Sequence, residues 1–237
     1  MGVPLCVHPG LELRLCGPRV VALDRLAWAA PRAEEPGLPA MYGYLRAQTA
    51  LSSSRYDLGM RVVDTTLRDL DGQESRRGEG LSAMAGVLHL RAAVIAGRAG
   101  DGDHADARLN EARALARRTG ELSDYGVGWG PANVGVHAVA IASDLDEYGR
   151  AVQLAEEVRF PRGWDRARAG HHRIDLGRAH TLAGHPNDAL SCPLKARRTA
   201  AQQTRYHPTA RETTVLLCKG PLARRQALLE FAEWIGV

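Results

Sequence analysis

The stretch LGRAHTLAGHPNDAL, residues 176–190, has the spacing of large, small and turn-forming side chains that lets two helices pack as a hairpin. The residues that carry this pattern are Leu176, Gly177, His180, Gly184 and Ala189, at offsets 0, 1, 4, 8 and 13. A glycine beside a leucine lets a second helix approach closely, and the later glycine provides the turn. We therefore predict a helix, a turn and a helix here, with His180 packed in the seam between the two helices.

The same helix-turn-helix pattern recurs along the chain. We predict five helix pairs, over residues 40–51 with 55–70, 79–98 with 103–118, 131–144 with 147–158, 165–183 with 186–203, and 207–218 with 221–235. In the first four pairs the second helix has a bulky residue three positions before a small one, at residues 56–59, 104–107, 148–151 and 186–189. The small residues are 48, 44 and 38 positions apart. The pattern resembles tetratricopeptide (TPR) repeats that are longer than the roughly 34 residues of a standard repeat.

The predicted fold class is all-α, a TPR-like right-handed superhelix of about five helix hairpins over residues 41–237. Residues 1–40 contain six prolines and are predicted to be an irregular segment with one helix over residues 20–30. Pro193 falls inside the second helix of the fourth pair, where it removes a backbone donor. We expect a kink there, or a helix that ends early.

Composition limits the classes of function. Aromatic residues make up 5% of the 237 residues and hydrophobic residues 45%, so the core has to be built from alanine, leucine and valine. The net charge is +4, but only Lys195 and Lys219 are lysines among the 31 basic residues. A bias towards arginine is typical of GC-rich coding, so the charge is weak evidence for a nucleic-acid partner. We expect no direct binding of DNA by this chain.

The cysteines and the hydropathy pattern indicate a reducing, aqueous compartment. The four cysteines, Cys6, Cys16, Cys192 and Cys218, form no CxxC pair, so we expect free thiols. No stretch approaches the roughly 20 apolar residues that span a bilayer, and the first residues lack the segments of a secretion signal. We expect a cytoplasmic protein that does not insert into a membrane.

Two segments carry a family resemblance, WGPANVGVH at residues 129–137 and ARRTAAQQTRYHPTARET at residues 196–213. They resemble the carboxy-terminal half of actinobacterial Xre-family helix-turn-helix transcriptional regulators, in which a TPR-like array follows a DNA-binding domain. The most specific piece is RYHPTARET, residues 205–213. The resemblance implies a sensory or interaction module. A DNA-reading domain needs roughly 60 further residues of short helices, so we expect this chain to correspond to the sensor half.

In a TPR-like array the first helix of each pair lines a concave groove, with inward side chains at roughly i, i+4, i+7 and i+11. In the third pair this stripe contains Asn133, His137 and Asp144. The amide of Asn133 can both donate and accept a hydrogen bond, which suits the backbone of an extended peptide. Two other roles stay open for Asn133, a helix cap beside Pro131 and a solvated side chain.

In the fourth pair the groove stripe contains Trp164, Arg168, His171, Asp175 and Arg178. His171 and Arg178 are suited to a carboxylate or phosphate of a ligand, with Asp175 orienting either one. The alternative is an arginine and aspartate network between repeats. Further along, Arg205, His207, Arg211 and Glu212 are either ligand contacts or capping groups of the next helix.

No motif indicates catalysis or a cofactor. The chain has no nucleophile elbow, P-loop or dinucleotide fingerprint, and GVGWG at residues 126–130 is predicted to be a connector before Pro131. Adjacent histidines on a helix point about 100° apart, so only one of His171 and His172 can share a face with Asp175. We therefore expect no metal site, no cofactor and no catalytic residue.

The function that we expect is a regulatory or sensor module that binds a peptide, a small effector or a protein partner in its groove. A second copy of the chain is one such partner, through the terminal repeats. The alternative is a constitutive scaffold or adaptor for protein–protein interaction. An enzyme would need an acid and a base converging in a closed pocket, which no spacing here predicts.

Overall fold

The computed structural model describes residues 21–33, 35, 37–72, 78–122 and 127–237, and these contain helices and an isolated bridge but no strand. The helices are α1 (residues 21–29), α2 (Gly37–Ser52), α3 (Tyr56–Asp71), α4 (Glu79–Arg98), α5 (Gly102–Thr119), α6 (Pro131–Asp144), α7 (Tyr148–Glu157), α8 (Arg166–Leu182), α9 (Pro186–Thr199), α10 (Ala201–Tyr206), α11 (Pro208–Cys218) and α12 (Gln226–Ile235). The 3-10 turn Ala30–Arg32 follows α1. The predicted irregular residues 1–20 lie outside the described part of the chain.

The five predicted helix pairs are all present. They are α2 with α3, α4 with α5, α6 with α7, α8 with α9, and α11 with α12. Each first helix also contacts the next first helix, so α2, α4, α6, α8 and α11 form a continuous layer. This is the stacking of a TPR-like helical repeat, and the all-α repeat fold predicted from the sequence is confirmed.

The fourth pair differs from the prediction at its second helix. The helix α9 ends at Thr199, and the short helix α10 follows after Ala200, whose φ of −145° and ψ of 70° are not helical. The proline does not end the helix, because α9 continues past Pro193 to Thr199. Pro193 lacks the N–H that would bond to the Ala189 carbonyl four residues earlier.

Gly177 is the point where α8 meets this proline-containing stretch of α9. A Cβ added to Gly177 would lie 3.2 Å from Cβ of Cys192, 3.3 Å from Cδ of Pro193 and 3.6 Å from the Ala189 carbonyl oxygen. The absence of a side chain therefore lets α8 cover the carbonyl that Pro193 leaves without its helical donor. The predicted turn is confirmed at Gly184, which has a φ of +79°.

His180 does not fill the seam between α8 and α9. The side chain is half-buried, and its Nδ1 lies 3.3 Å from Nδ1 of His185 across the turn. The two helices approach closely at Gly177 instead, where an added Cβ would lie 3.2 Å from Cβ of Cys192. The prediction of a packed core histidine is wrong, because His180 lies in the last turn of α8 beside the exposed His185, where the protein covers it only in part.

The helix α4 is the centre of the amino-terminal half, with 14 of its 20 residues buried. In the described part of the chain, α4 alone has the length and composition of a membrane-spanning helix, and 72% of its apolar window is buried inside the protein. A buried core helix passes the same test, so this is weak evidence for a membrane. His89 and Arg91 interrupt its apolar run, which is why the sequence indicated no span.

The connector between α5 and α6 is fastened by Trp129. Its indole is 1% exposed, its Nε1 donates to Oγ1 of Thr119 at 2.8 Å, and its backbone forms an antiparallel bridge with Leu122. A Cβ on Gly86 of α4 would lie 2.0 Å from the indole, so the ring needs this glycine. Pro131 is the first residue of α6, as predicted for a connector that ends there.

Candidate ligand-binding surface

Polar side chains spaced seven residues apart recur on three consecutive first helices. The pairs are Arg91 and Arg98 on α4, His137 and Asp144 on α6, and His171 and Arg178 on α8. We call these six residues, together with Asp175, the first-helix surface. The members on α6 and α8 were predicted from the sequence, and the two arginines of α4 were not. The signal that finds them is the shared spacing, because residues seven apart lie on one side of a helix.

The aspartates of this surface belong to one electrostatic network. Nε of Arg98 donates to Oδ2 of Asp144 at 3.2 Å, which joins α4 to α6. Burial raises the pKa of Asp175 to about 6, and the Asp144 carboxylate adds to the rise while His171, Arg178 and Arg98 oppose it. Asp175 therefore changes its charge close to neutral pH, within reach of cationic groups from two helices.

Two imidazole rings extend the first-helix surface from α8 to the start of α11. Nε2 of His171 lies 3.6 Å from Oδ2 of Asp175, and the His171 ring meets the His207 ring edge to face at 4.7 Å. Burial lowers the pKa of His207 to about 4, and the neighbouring His171 contributes to the lowering. Nδ1 of His207 is buried and has no hydrogen-bond partner among the described residues. His207, which the sequence left between two roles, thus lies beside the predicted site.

Asn133 connects three parts of the chain through its side-chain amide. The side chain is 4% exposed, its Nδ2 donates to the Gly128 carbonyl at 3.0 Å, and its Oδ1 accepts from Nη1 of Arg168 at 2.7 Å. The amide is not solvated, because it is buried. It does not cap α6, because the N–H of Ala132 at the start of this helix donates to Glu121 instead. A direct contact of Asn133 or Arg168 with a ligand stays a prediction, and it requires these two side chains to separate.

His137 has a defined tautomer. Its Nδ1 lies 2.8 Å from the Asn133 carbonyl oxygen, which can only accept, so Nδ1 carries the proton. Burial lowers the pKa of His137 to about 4, and the positive charges of Arg91 and Arg168 add to the lowering. The ring is neutral at pH 7 for this reason. Its Nε2 is then a hydrogen-bond acceptor, held in place by α6.

The outer members of the surface are arginines stacked on tyrosines. Nη2 of Arg91 donates to the Tyr44 hydroxyl at 2.5 Å, and its guanidinium lies 4.7 Å from the centre of that ring. The Arg178 guanidinium lies 5.9 Å from the centre of the Tyr148 ring. A tyrosine face holds a guanidinium in place without neutralising it. Both arginines therefore keep a full positive charge towards a ligand.

The other residues that the sequence singled out either make contacts within the chain or are exposed. His172 is buried on another side of α8, where it meets the Phe160 ring edge to face at 5.6 Å, so only His171 shares a face with Asp175. Arg211 donates to the carbonyls of Ile235 and Gly236, which makes it a cap of α12. Arg205 lies 5.9 Å from the centre of the Trp234 ring, and Glu212 is exposed.

Metal-binding groups do not gather in the described residues. No three histidine, cysteine, aspartate or glutamate side chains in the ranges given above are placed to hold an ion. Cys192 and Cys218 are free, and burial raises the pKa of the Cys192 thiol to about 11, which makes it a poor nucleophile. The other two cysteines lie outside the described residues.

Two cavities lie away from the first-helix surface. One, of about 400 Å³, is lined by α2 and α3. The other, of about 520 Å³, lies between α3, α4 and α5 and is lined by residues that include His89, Arg108 and Glu111. The sequence indicated neither cavity, because each is lined by residues from two or three helices that are far apart in the sequence.

Comparisons with known proteins support the fold. No family model and no curated protein matches this chain. A solved structure named for kinesin light chain and its nearly identical TPR-like repeats, from Podosopora anserina, is similar with a TM-score of 0.55 at 16% identity, over 86% of this chain and 96% of that one. BtubC (BKLC) from P. vanneervenii has a TM-score of 0.47 at 21% identity, over 84% of this chain and 77% of that one. The first likeness supports a TPR-like repeat fold.

Proposed function

We propose that this chain is a regulatory binding module whose first-helix surface takes a peptide or a small effector. The observation that carries the proposal is the repeated polar pair on α4, α6 and α8, which is linked across helices by the 3.2 Å contact of Arg98 with Asp144. First helices line the concave side of TPR-like arrays, and such concave surfaces are used for binding. A ligand that contacts three helices together favours one curvature of the array over others.

The charges of the surface favour a ligand with an anionic group. Arg98 is paired with Asp144, whereas Arg178 has no ion-pair partner in the described part of the chain. Arg178 and His171 therefore provide a place for a carboxylate or phosphate. His137 adds an acceptor for an N–H or O–H of the same ligand, through Nε2. A peptide with a free carboxylate satisfies both requirements.

The resemblance of residues 129–137 and 196–213 to Xre-family regulators supports a regulatory role in the cytoplasm. In that family the array passes the effect of its ligand to a DNA-binding domain. We place this chain in the same class, as a sensor whose change of curvature is passed to a partner. We assign it no catalytic role.

The test is a comparison of two peptide pools. A pool of random heptapeptides with free carboxyl termini is passed over the immobilised chain, beside the same pool with amidated termini. Retained peptides are identified by mass spectrometry and their affinity is measured by calorimetry. We expect retention of the free-carboxylate pool and about a tenfold loss of affinity in Arg178→Ala, the cost of one charge-assisted contact. Arg113→Ala is the matched control, since Arg113 lies on α5 outside the first-helix surface, where its Nη1 donates to Oδ1 of Asn110 at 2.9 Å.

A scaffold for protein partners is the second candidate, favoured by the two cavities outside the first-helix surface. The same experiment separates the two functions. If neither pool is retained, or if retention is the same in Arg178→Ala and Arg113→Ala, the first-helix surface is not the binding site. The cavity on α2 and α3 would then be the surface to examine for a partner.

A further inference from the structure

The helix α1 has two different faces. Leu23 and Leu26 are half-buried and Ala30 is buried, so this side packs on the array. The opposite side is exposed and carries Val21, Asp24, Arg25 and Trp28, which lie within about 100° of one another on a helical wheel. Trp28 is 65% exposed and Val21 is 49% exposed. The Arg32 guanidinium lies 4.6 Å from the centre of the Trp28 ring, and the ring is still mostly exposed, so this side of α1 has apolar surface left to cover.

The cavity on α2 and α3 has the complementary character. Its floor contains the buried side chains of Ala40, Val62 and Leu70. Its rim carries Arg61 and Asp69, both exposed, which lie two turns apart on α3. The volume is about 400 Å³, within the range of roughly 300–1,000 Å³ of sites that bind organic groups. An indole is the largest side chain that this space would take.

The two surfaces both carry charges of either sign. Arg61 and Asp69 on the rim have no ion-pair partner in the described part of the chain, and the same holds for Asp24 and Arg25 on α1. The rim also carries the exposed Arg46 of α2, whose guanidinium lies 5.5 Å from the centre of the Tyr42 ring, so it has two positive charges and one negative, whereas the exposed side of α1 has one of each. Opposite charges across a contact attract the two surfaces and fix their relative position.

We propose that two copies of this chain form a two-fold dimer in which α1 of each copy lies in the cavity on α2 and α3 of the other. Trp28 and Val21 cover the apolar floor, while Asp24 and Arg25 face the oppositely charged groups of the rim. A second copy is the occupant because both halves of the contact belong to one chain and lie at the same end of it. A two-fold axis forms such a contact twice. The inference is independent of the ligand of the first-helix surface.

The first test measures the mass of the full chain by sedimentation equilibrium over a range of concentrations. We expect a dimer, and a monomer for Trp28→Asp, because buried tryptophans dominate interfaces of this kind. Leu229→Asp is the matched control, since Leu229 is 46% exposed on α12 at the other end of the array. Circular dichroism of each variant shows whether the fold is retained. A monomeric wild type, or a dimer that persists in Trp28→Asp, overturns the proposal.

The second test uses charge inversion to identify the cavity as the acceptor. The double variant Arg61→Glu with Asp69→Arg is expected to weaken the dimer by at least about tenfold. Adding Asp24→Arg and Arg25→Asp to the same chain is expected to restore it, because the inverted charges match again. Two α1 helices that pack only on each other would not respond to the rim. A dimer that is unaffected by the double variant therefore refutes docking in the cavity.

Discussion

Gly177 shows how one residue without a side chain lets two helices pack closely. Cβ of Cys192 and Cδ of Pro193 would lie 3.2 and 3.3 Å from an added Cβ, and the backbone carbonyl oxygen of Ala189 would also be close to it. We expect Gly177→Leu to lower the free energy of unfolding by about 1–3 kcal/mol, since overpacked side chains force the helices apart. Gly149→Leu on α7 is the control, because nothing lies within 4 Å of its added Cβ. Equal melting temperatures of the two variants would contradict the α8–α9 contact.

Individual histidines make stability depend on pH. Burial lowers the pKa of His137, His172 and His207 to about 4 each, while an unfolded histidine titrates near 6.5. Between these values the unfolded chain binds more protons than the folded one, so stability falls as pH falls from about 6.5 to 4. Asp175, with its pKa raised to about 6, acts in the opposite direction below pH 6. The loss of stability from three histidines exceeds the gain from one aspartate, so the net stability falls on acidification.

The measurement for this pH dependence is the melting temperature by calorimetry. We expect it to be lower at pH 5 than at pH 7 by at least about 5 °C. His207→Gln removes one of the three contributions, and its melting temperature should change less with pH. Asp175→Asn removes the opposing contribution, and its change should be steeper. A wild type whose stability rises on acidification would show that these rings are not buried in solution.

Among the elements, helix positions were predictable from the sequence, but the end of α9 and the start of α12 were not, since α12 begins at Gln226 rather than at residue 221. The turns at Gly184 and Pro131 have residues that stop or start helices, and both were found where the sequence placed them. The break at Ala200 falls in a run without glycine or proline, so nothing local announces it. Tertiary contact supplies the reason, since a Cβ on Gly170 of α8 would lie 2.7 Å from that of Ala200.

The candidate site was predictable where helical periodicity decides it. The stripe on α6 and α8 was found because polar residues recur at i, i+4 and i+7. The contacts of Asn133 were not predictable, since they depend on how the preceding connector folds back to its amide and on an arginine 35 residues away in the sequence. A buried amide that serves as a tie between elements has the same sequence pattern as one that faces a ligand.

Two arginines contact the C-terminal turn of the last helix, α12. Arg211 donates to the carbonyls of Ile235 and Gly236, and the Arg197 guanidinium lies 4.5 Å from the centre of the Trp234 ring. We expect Arg211→Ala to cost about 1–2 kcal/mol and to speed amide hydrogen exchange in α12 alone, because the C-terminal carbonyls lose a charged donor. Arg224→Ala in the preceding turn is the control. Exchange that stays slow throughout α12 in Arg211→Ala would exclude the capping role.

At the scale of the whole molecule, the core is unevenly divided along the array. One cluster of buried residues runs from α2 to α6 and contains Trp129, Met84 and Leu88. The carboxy-terminal repeats have smaller clusters, one of them built on Ile174, Phe231 and the half-buried Trp234. Because repeats of a solenoid stabilise mainly their neighbours, stability should follow this division. The two halves need not unfold together.

Tryptophan fluorescence can resolve the order of unfolding. We consider two variants, one that keeps only Trp129 and one that keeps only Trp234, with every other tryptophan changed to phenylalanine. Each variant reports on one half of the array. We expect the Trp234 signal to change at a urea concentration at least about 0.5 M lower than the Trp129 signal, since fewer buried apolar contacts hold its helices. Hydrogen exchange of unmodified chain, faster in α9 to α12 than in α4, checks that the substitutions did not cause the difference. Coincident midpoints would mean that the contacts of α6 and α7 with α8 couple the halves into one cooperative unit, in spite of the uneven core.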